Sequence, residues 1–398
     1  MKIRIILSGL FFFALLVTTV AQDGRQGGNS DLYRSIIPED KQNRLKNIDF
    51  IANMQFAERT DFTNGDYMGS RFKMEQFRME IKGWITNKVF FRFRHRYTST
   101  FEPQTMDKII KGVDMAFVTV KLGNEDKWQI SAGKMCVDWG GIEFDLNPAY
   151  IYEYSDIIEQ ADNFMSGVQI QHNFSAGNSL GFEVMNTRTQ SFEEIYGPDS
   201  IIGGVGISQS LTPLAGVLTW RGKFGKFSTL YSGSIFTEAQ DYFSYYIALG
   251  NMLTFDKVRL SYDFKISIED LDRTGIVSQT IPRNDFNFTL TNTLYFSHWV
   301  QVEWLFKPKW QFSFVGFIDQ AKWMGDEDPN KNTDNIRTGF GYIPTLEYFP
   351  FDDIDLKFFA GYVGRVYNYS DYATSTTGTK DYQTGRVIVG LISALKFL

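Results

Sequence analysis

Cysteine is all but absent from this 398-residue chain, and the single one, Cys136, excludes both a disulfide framework and a multi-cysteine metal site. Histidine is nearly as scarce: three imidazoles leave little from which to build a zinc enzyme. Positive charge does not dominate either. Forty Lys and Arg stand against 46 Asp and Glu, a net charge of −6, which argues against a nucleic-acid binder. Ten Pro and 34 Gly exclude collagen-like or low-complexity chain. Beyond residue 21 no long apolar run occurs, so no helix of membrane-spanning length is encoded there. What the chain does have is aromatic rings: 37 Phe, 20 Tyr and 8 Trp make up 16% of it.

The start of the chain carries an address. Lys2 and Arg4 precede an apolar run from Ile5 to Val17, followed by Thr18, Thr19, Val20 and Ala21. A basic start, a short apolar core and small residues before a cut describe a secretory signal peptide over 1–21, with Gln22 becoming the first mature residue. The alternative, an uncleaved membrane helix, needs roughly 20 apolar residues, more than this core supplies. No cysteine sits at the cut to carry a lipid. Residues 22–43 then read as a short polar periplasmic lead, and 44–398 as one domain.

That domain is built on alternation. Val89, Phe91, Phe93, His95 and Tyr97 share one parity, and Arg92, Arg94 and Arg96 the other. Val258, Leu260, Tyr262, Phe264, Ile266 and Ile268 likewise alternate with Arg259, Ser261, Asp263, Lys265 and Ser267. Successive strand residues face opposite sides, so each segment has one apolar and one polar face. Strands of soluble proteins commonly run about 5–6 residues. Several here run longer, as suits tilted crossings of about 9–11 residues in a transmembrane barrel. The pattern predicts strands at 44–58, 70–85, 88–100, 111–122, 127–135, 163–174, 179–190, 212–223, 226–238, 241–254, 257–269, 284–305, 309–323, 335–349, 353–368 and 384–398. Tight turns follow the even-numbered members. Longer polar segments follow the odd ones, apart from a short connection near Ala239 and Gln240. Short periplasmic turns alternating with longer external loops predict an all-β fold, an antiparallel barrel of about sixteen strands in a bacterial outer membrane. Closure has a physical reason: lipid offers no hydrogen-bond partners, so a spanning sheet must leave no edge. Tyr97, Trp128, Trp220, Trp299, Trp310 and Tyr348, near strand ends, fit interfacial girdles.

The third external loop, residues 136–162, is the longest connection, aromatic and acidic at once. Asp138, Trp139, Gly140, Gly141, Glu143, Asp145, Asn147, Glu153 and Asp156 stand out in it as candidate constriction residues. A loop of this length is usually functional, and Trp139, Ile142, Phe144 and Leu146 are too apolar to remain in water. Folding into the lumen would narrow a pore, with Gly140 and Gly141 permitting sharp re-entry. The alternative is packing over the barrel mouth or against a neighbouring subunit. Gly133 and Lys134, then Trp139 to Pro148 (WGGIEFDLNP), resemble the constriction-loop region of the phosphate-selective porin O/P family, especially its Bacteroidetes-type members. The resemblance implies sixteen strands, a homotrimer and passive passage of small anions, with no cofactor. It transfers no phosphate-coordinating residue to a position in this chain.

The polar faces suggest how such a lumen is charged. Arg92, Arg94 and Arg96 form one inward row, and Arg78 and Lys82 share that parity on the neighbouring strand, opposite Phe77, Met79 and Ile81. Facing lipid at midplane, each such cation would cost about 2–4 kcal/mol, which favours the inward assignment. Five cations on one wall would favour anions. Pairing with Glu80 and the acids of 136–162 would instead give a polarised, weakly selective eyelet. The reading is a passive porin for small hydrophilic solutes, touching membrane lipid and no nucleic acid. Its rivals are an enzymatic barrel, a sealed structural or adhesive barrel, and a soluble exported β-protein. Of the histidines, His95 is expected to face lipid, and His172 and His298 lie singly in strands, a poor basis for a catalytic site.

Overall fold

The alternating segments form strands wherever one face can meet lipid and the other the interior. The computed structural model describes residues 47–397 except 124, 176, 198–200, 203–204, 282–288 and 326–334. Residues 1–21 and 22–43, read as signal peptide and periplasmic lead, lie outside the described residues. The first eight barrel strands are β1 (Ile48–Thr63), β2 (Asp66–Trp84), β3 (Val89–Arg96), β4 (Val113–Leu122), β5 (Trp128–Cys136), β6 (Phe164–Ser175), β7 (Asn178–Asn186) and β8 (Leu214–Phe224). The second eight are β9 (Phe227–Ala239), β10 (Tyr242–Thr254), β11 (Val258–Leu271), β12 (Thr291–Lys307), β13 (Trp310–Trp323), β14 (Asn335–Tyr348), β15 (Leu356–Tyr369) and β16 (Tyr382–Lys396). Each pairs with its sequence neighbours, and β1 closes on β16 from Ile51 opposite Lys396 to Thr63 opposite Thr384. The sixteen-strand closed antiparallel barrel expected from the alternation is therefore the fold.

The two faces differ as the pattern requires. On β11, Leu260, Tyr262 and Ile268 are exposed outside, while Ser261, Asp263, Lys265, Ser267 and Glu269 are buried inside. Phe93, Val118, Ile170, Phe182, Leu218, Ile247, Phe340 and Val389 continue the exposed apolar skin. No described helix is long and apolar enough to cross a membrane.

Several expectations need correction. The segment after β1 is not a long loop: β1 and β2 run on to a two-residue turn, Asn64 and Gly65, both at positive φ. The sequence disguises this because the extension carries charge on both strands, with Arg59 bridging Asp61 at 2.8 Å and Glu75 at 3.3 Å. Trp299 does not join an outer girdle. It is 2% exposed and points inward with Ser297, because its neighbours His298 and Val300 take the outward positions. Trp310 and Tyr348 do pair, with ring centroids 4.7 Å apart.

The interior is not filled with polar groups alone. Tyr246, Tyr295 and Trp323, all inward, join Trp139, Ile157 and Ile158 of the third loop in one buried apolar cluster. Short helical turns of the other long connections, Ile276–Thr280 and Asp371–Thr377, add Ile276, Val277, Tyr372 and Ala373 to it. Part of the interior is thereby packed, and the open space is lined by residues of β1–β5 and of β11–β16.

Candidate functional site: a charged interior divided by the third loop

A cavity of about 1650 Å³ runs inside the barrel. Its lining includes residues at the short-turn end, such as Lys226, Lys257 and Asp352, and at the long-loop end, such as Gln104, Lys111 and Thr189. The third loop forms one of its walls, and strands β2 to β5 form another.

The loop is tied to inward side chains of strands around most of the barrel. At its start Trp139 packs against Phe144 and Tyr246, and its carbonyl accepts a 2.7 Å bond from Ser232 on β9. Gly141 adopts φ +77°, which admits glycine readily, and a Cβ there would sit 3.0 Å from the Asp263 carboxylate. Gly140 has an ordinary φ of −106°, but a Cβ there would lie 2.4 Å from the Phe144 side chain, so its absence makes room for that ring. The helical turn α1 (Gly141–Asp145) then presents the amides of Ile142 and Glu143 to Asp263, at 3.0 and 2.7 Å. Glu143, fully buried, accepts from Lys265 at 2.5 Å and from the Ser155 hydroxyl at 2.6 Å.

Of the remaining loop acids, Asp138, Asp145, Glu153, Asp156 and Asp162 are matched by cations. Arg221 on β8 bridges Asp138 at 2.8 Å and Asp145 at 3.0 Å. Asp156, opening the turn α2 (Asp156–Glu159), binds Arg365 on β15 at 2.6 Å and also Arg337 on β14. Glu153 binds Arg386 on β16 at 2.8 Å. Asn147 reaches Asn53 on β1 at 2.9 Å while capping a single 3-10 turn, Pro148–Tyr150. Buried ion pairs are poor sources of net stability, yet breaking one strands an uncompensated charge. The arrangement fixes where the loop lies.

The five cations singled out on β2 and β3 all line the cavity. They do not pair with the loop's acids. Arg92 meets Glu80 at 2.8 Å, whereas Arg78, Arg94 and Arg96 surround Asp114 at 2.8, 3.4 and 3.4 Å. Arg92 and Arg96 keep side-chain exposures of 28% and 30% towards the cavity. Asp114 escapes the alternation because it is the extra residue of a β-bulge, where Met115 pairs with Arg94 and Val113 with His95. Strict parity would turn Asp114 to lipid with Val118 and Val120, and the bulge turns it to the arginines instead. Lys134 was noted only within the family-like stretch. Gly133, at φ +132°, resets the parity of β5, and Lys134 points inward to Asp107 at 3.0 Å. A Cβ on Gly133 would lie 2.3 Å from the Ala116 carbonyl oxygen.

The three histidines sit on the outer face in aromatic settings. His95 is covered by Tyr97 and Phe101, His172 stacks on Trp128, and His298 lies beside Phe264. Cys136 is half-buried on the cavity wall. No cluster of three or more His, Cys, Asp or Glu suited to a metal ion occurs among the described residues.

A closed sixteen-strand barrel, apolar outside and charged within, narrowed by an ion-paired segment, defines a passive channel of the bacterial outer membrane, a porin. Comparison with known proteins makes the class specific. The family model for phosphate-selective porin O and P matches residues 52–391, and the chain belongs to that family. No curated protein sequence matches it significantly. Among solved structures the fold is similar to the outer membrane channel DcaP of Acinetobacter baumannii, with TM-score 0.56 and 11% identity over 88% of this chain and 99% of that one. It also resembles the anion-selective porin of Comamonas acidovorans (TM-score 0.50, 12% identity, 87% and 99% covered). The trimer form of Vibrio cholerae OmpT aligns with TM-score 0.51 and 10% identity, covering 87% and 98%.

Proposed function

We propose that this porin prefers anions, with the 136–162 segment as its constriction and Arg78, Lys82, Arg92, Arg94 and Arg96 as an anion-attracting wall. The observation that carries the reading is a local excess of charge. Five cations share that wall with two carboxylates, Glu80 and Asp114. Asp138, Asp145, Glu143, Glu153 and Asp156 of the loop are engaged by Arg221, Lys265, Arg337, Arg365 and Arg386 on other strands, so Glu159 is the loop acid that weighs against the wall's excess. Low-dielectric walls focus such a field on whatever passes. Residues 1–21 would act as a cleaved export signal and 22–43 as a short periplasmic lead. The exposed apolar skin suits membrane lipid. The family, and the trimer form of the Vibrio cholerae relative, support a homotrimer.

Purified full-length protein in a planar bilayer tests this under potassium chloride and potassium phosphate gradients. The expected reversal potential has the sign of anion permeation. A cation-signed potential would overturn the preference, and the absence of conductance would overturn the channel itself.

Glu159 adds a pH dependence. Enclosure by the barrel, together with Glu153, Glu143 and Asp156, pushes its carboxyl up to about 7. Raising the pH from 6 to 8 therefore adds negative charge at the loop, and anion preference should weaken. Glu159→Gln should flatten that change, as read from reversal potentials at the two pH values.

A further inference from the structure

The cavity wall supplied by the loop is mostly apolar. Phe144, Leu146, Ile151, Tyr152 and Tyr154 are all half-buried there and all face the cavity. One ring comes close to the basic wall and another lines the same cavity. The Arg94 guanidinium lies 5.1 Å from the centroid of Phe164, itself a lining residue, and Tyr154 of the loop is a lining residue too. Phe144 and Tyr154 also pack against one buried cluster and Leu146 and Tyr152 against another, but their cavity-facing parts offer a strongly hydrated anion no replacement for its water. An anion with an apolar body can use both walls at once.

We propose that the constriction recognises amphipathic carboxylates of the benzoate type in preference to inorganic anions. The carboxylate would meet the exposed guanidinium groups of Arg92 and Arg96. The ring would lie against Phe164 and Tyr154, offset-stacked or edge-on as aromatic pairs prefer. Arg94, held over the Phe164 ring, keeps that ring facing the slot. This deepens the porin reading and rests on it.

The test uses the purified full-length porin in a planar bilayer carrying chloride current, with benzoate, acetate or phosphate added. Benzoate is expected to reduce the current at concentrations about tenfold or more below those needed for acetate or phosphate. Phe164→Leu combined with Tyr154→Leu should bring benzoate close to acetate while chloride current persists. The wild-type comparison stands by itself if that variant folds poorly. Equal effects of benzoate and acetate on the wild type, or an undiminished benzoate effect in a conducting variant, would overturn the selectivity. Absence of chloride current in the wild type would overturn the porin reading beneath it.

Discussion

With alanine in place of Arg92, Arg94 and Arg96, the reversal potential in a salt gradient is expected to move towards cations, from clear anion preference to near neutrality or beyond. The argument is local. The substitutions leave Arg78 and Lys82 facing Glu80 and Asp114, two charges of each sign, where five cations had faced two carboxylates. Across the cavity, Glu159 remains on the lining and tilts the balance further. Substitutions on a lumen face tune selectivity rather than membrane insertion, so the barrel should still assemble. Asp114 retains its shortest partner, Arg78, at 2.8 Å. An unchanged reversal potential in a folded, conducting variant would reject the basic wall.

Lys265→Met is expected to loosen the third loop. Lys265 and Glu143 are 1% and 0% exposed, and Asp263 beside them holds two loop amides. Removing the cation leaves two buried carboxylates without their charge partner, a loss of about 3–5 kcal/mol for breaking a buried pair. The strand pairing does not depend on Lys265, so the loss should fall on the loop and not on the barrel. Single-channel conductance should rise, and larger sugars should enter in a liposome-swelling assay. Adding Glu143→Gln should restore part of the wild-type behaviour by removing one stranded charge. Wild-type conductance and size limit in Lys265→Met would show that this pair does not hold the constriction.

Much of the fold is legible because a membrane barrel obeys two simple rules, alternation and closure. Segments such as 257–269 display both faces without ambiguity, and all sixteen predicted strands have an observed counterpart. The boundaries fail where the rules stop applying. Above the membrane β1 and β2 carry charge on both strands, so the period vanishes although the strands continue to Asn64 and Gly65. Trp299 was assigned by its type and its place in the strand, and its parity would have corrected the error.

The candidate site is legible in part for the same reason. Arg92, Arg94 and Arg96 lie in an uninterrupted stretch of alternation, and the cations are where the alternation puts them. Asp114 and Lys134 lie at a bulge and at a glycine with positive φ, and both features shift parity without a periodic signal. The partners of the loop acids were hidden for a different reason. Arg221, Lys265, Arg337, Arg365 and Arg386 come from five strands up to 233 residues away in sequence, as for Arg386 and Glu153, and only closure of the barrel brings them to the loop. Asp263 and Lys265 are legible as polar-face residues, yet nothing local shows that Asp263 receives the amides of residues 142 and 143 or that Lys265 meets the Glu143 carboxylate.

The account depends on solvated ions passing along the arginine side of the barrel interior. Single cysteines introduced into a Cys136→Ser background test it directly, one as Arg96→Cys on the cavity wall and one as Val118→Cys on the outer skin. A charged, membrane-impermeant thiol reagent should lower the channel current in discrete steps for Arg96→Cys and leave Val118→Cys unaffected. An inert Arg96→Cys channel, with the current instead responding at Val118→Cys, would contradict the account.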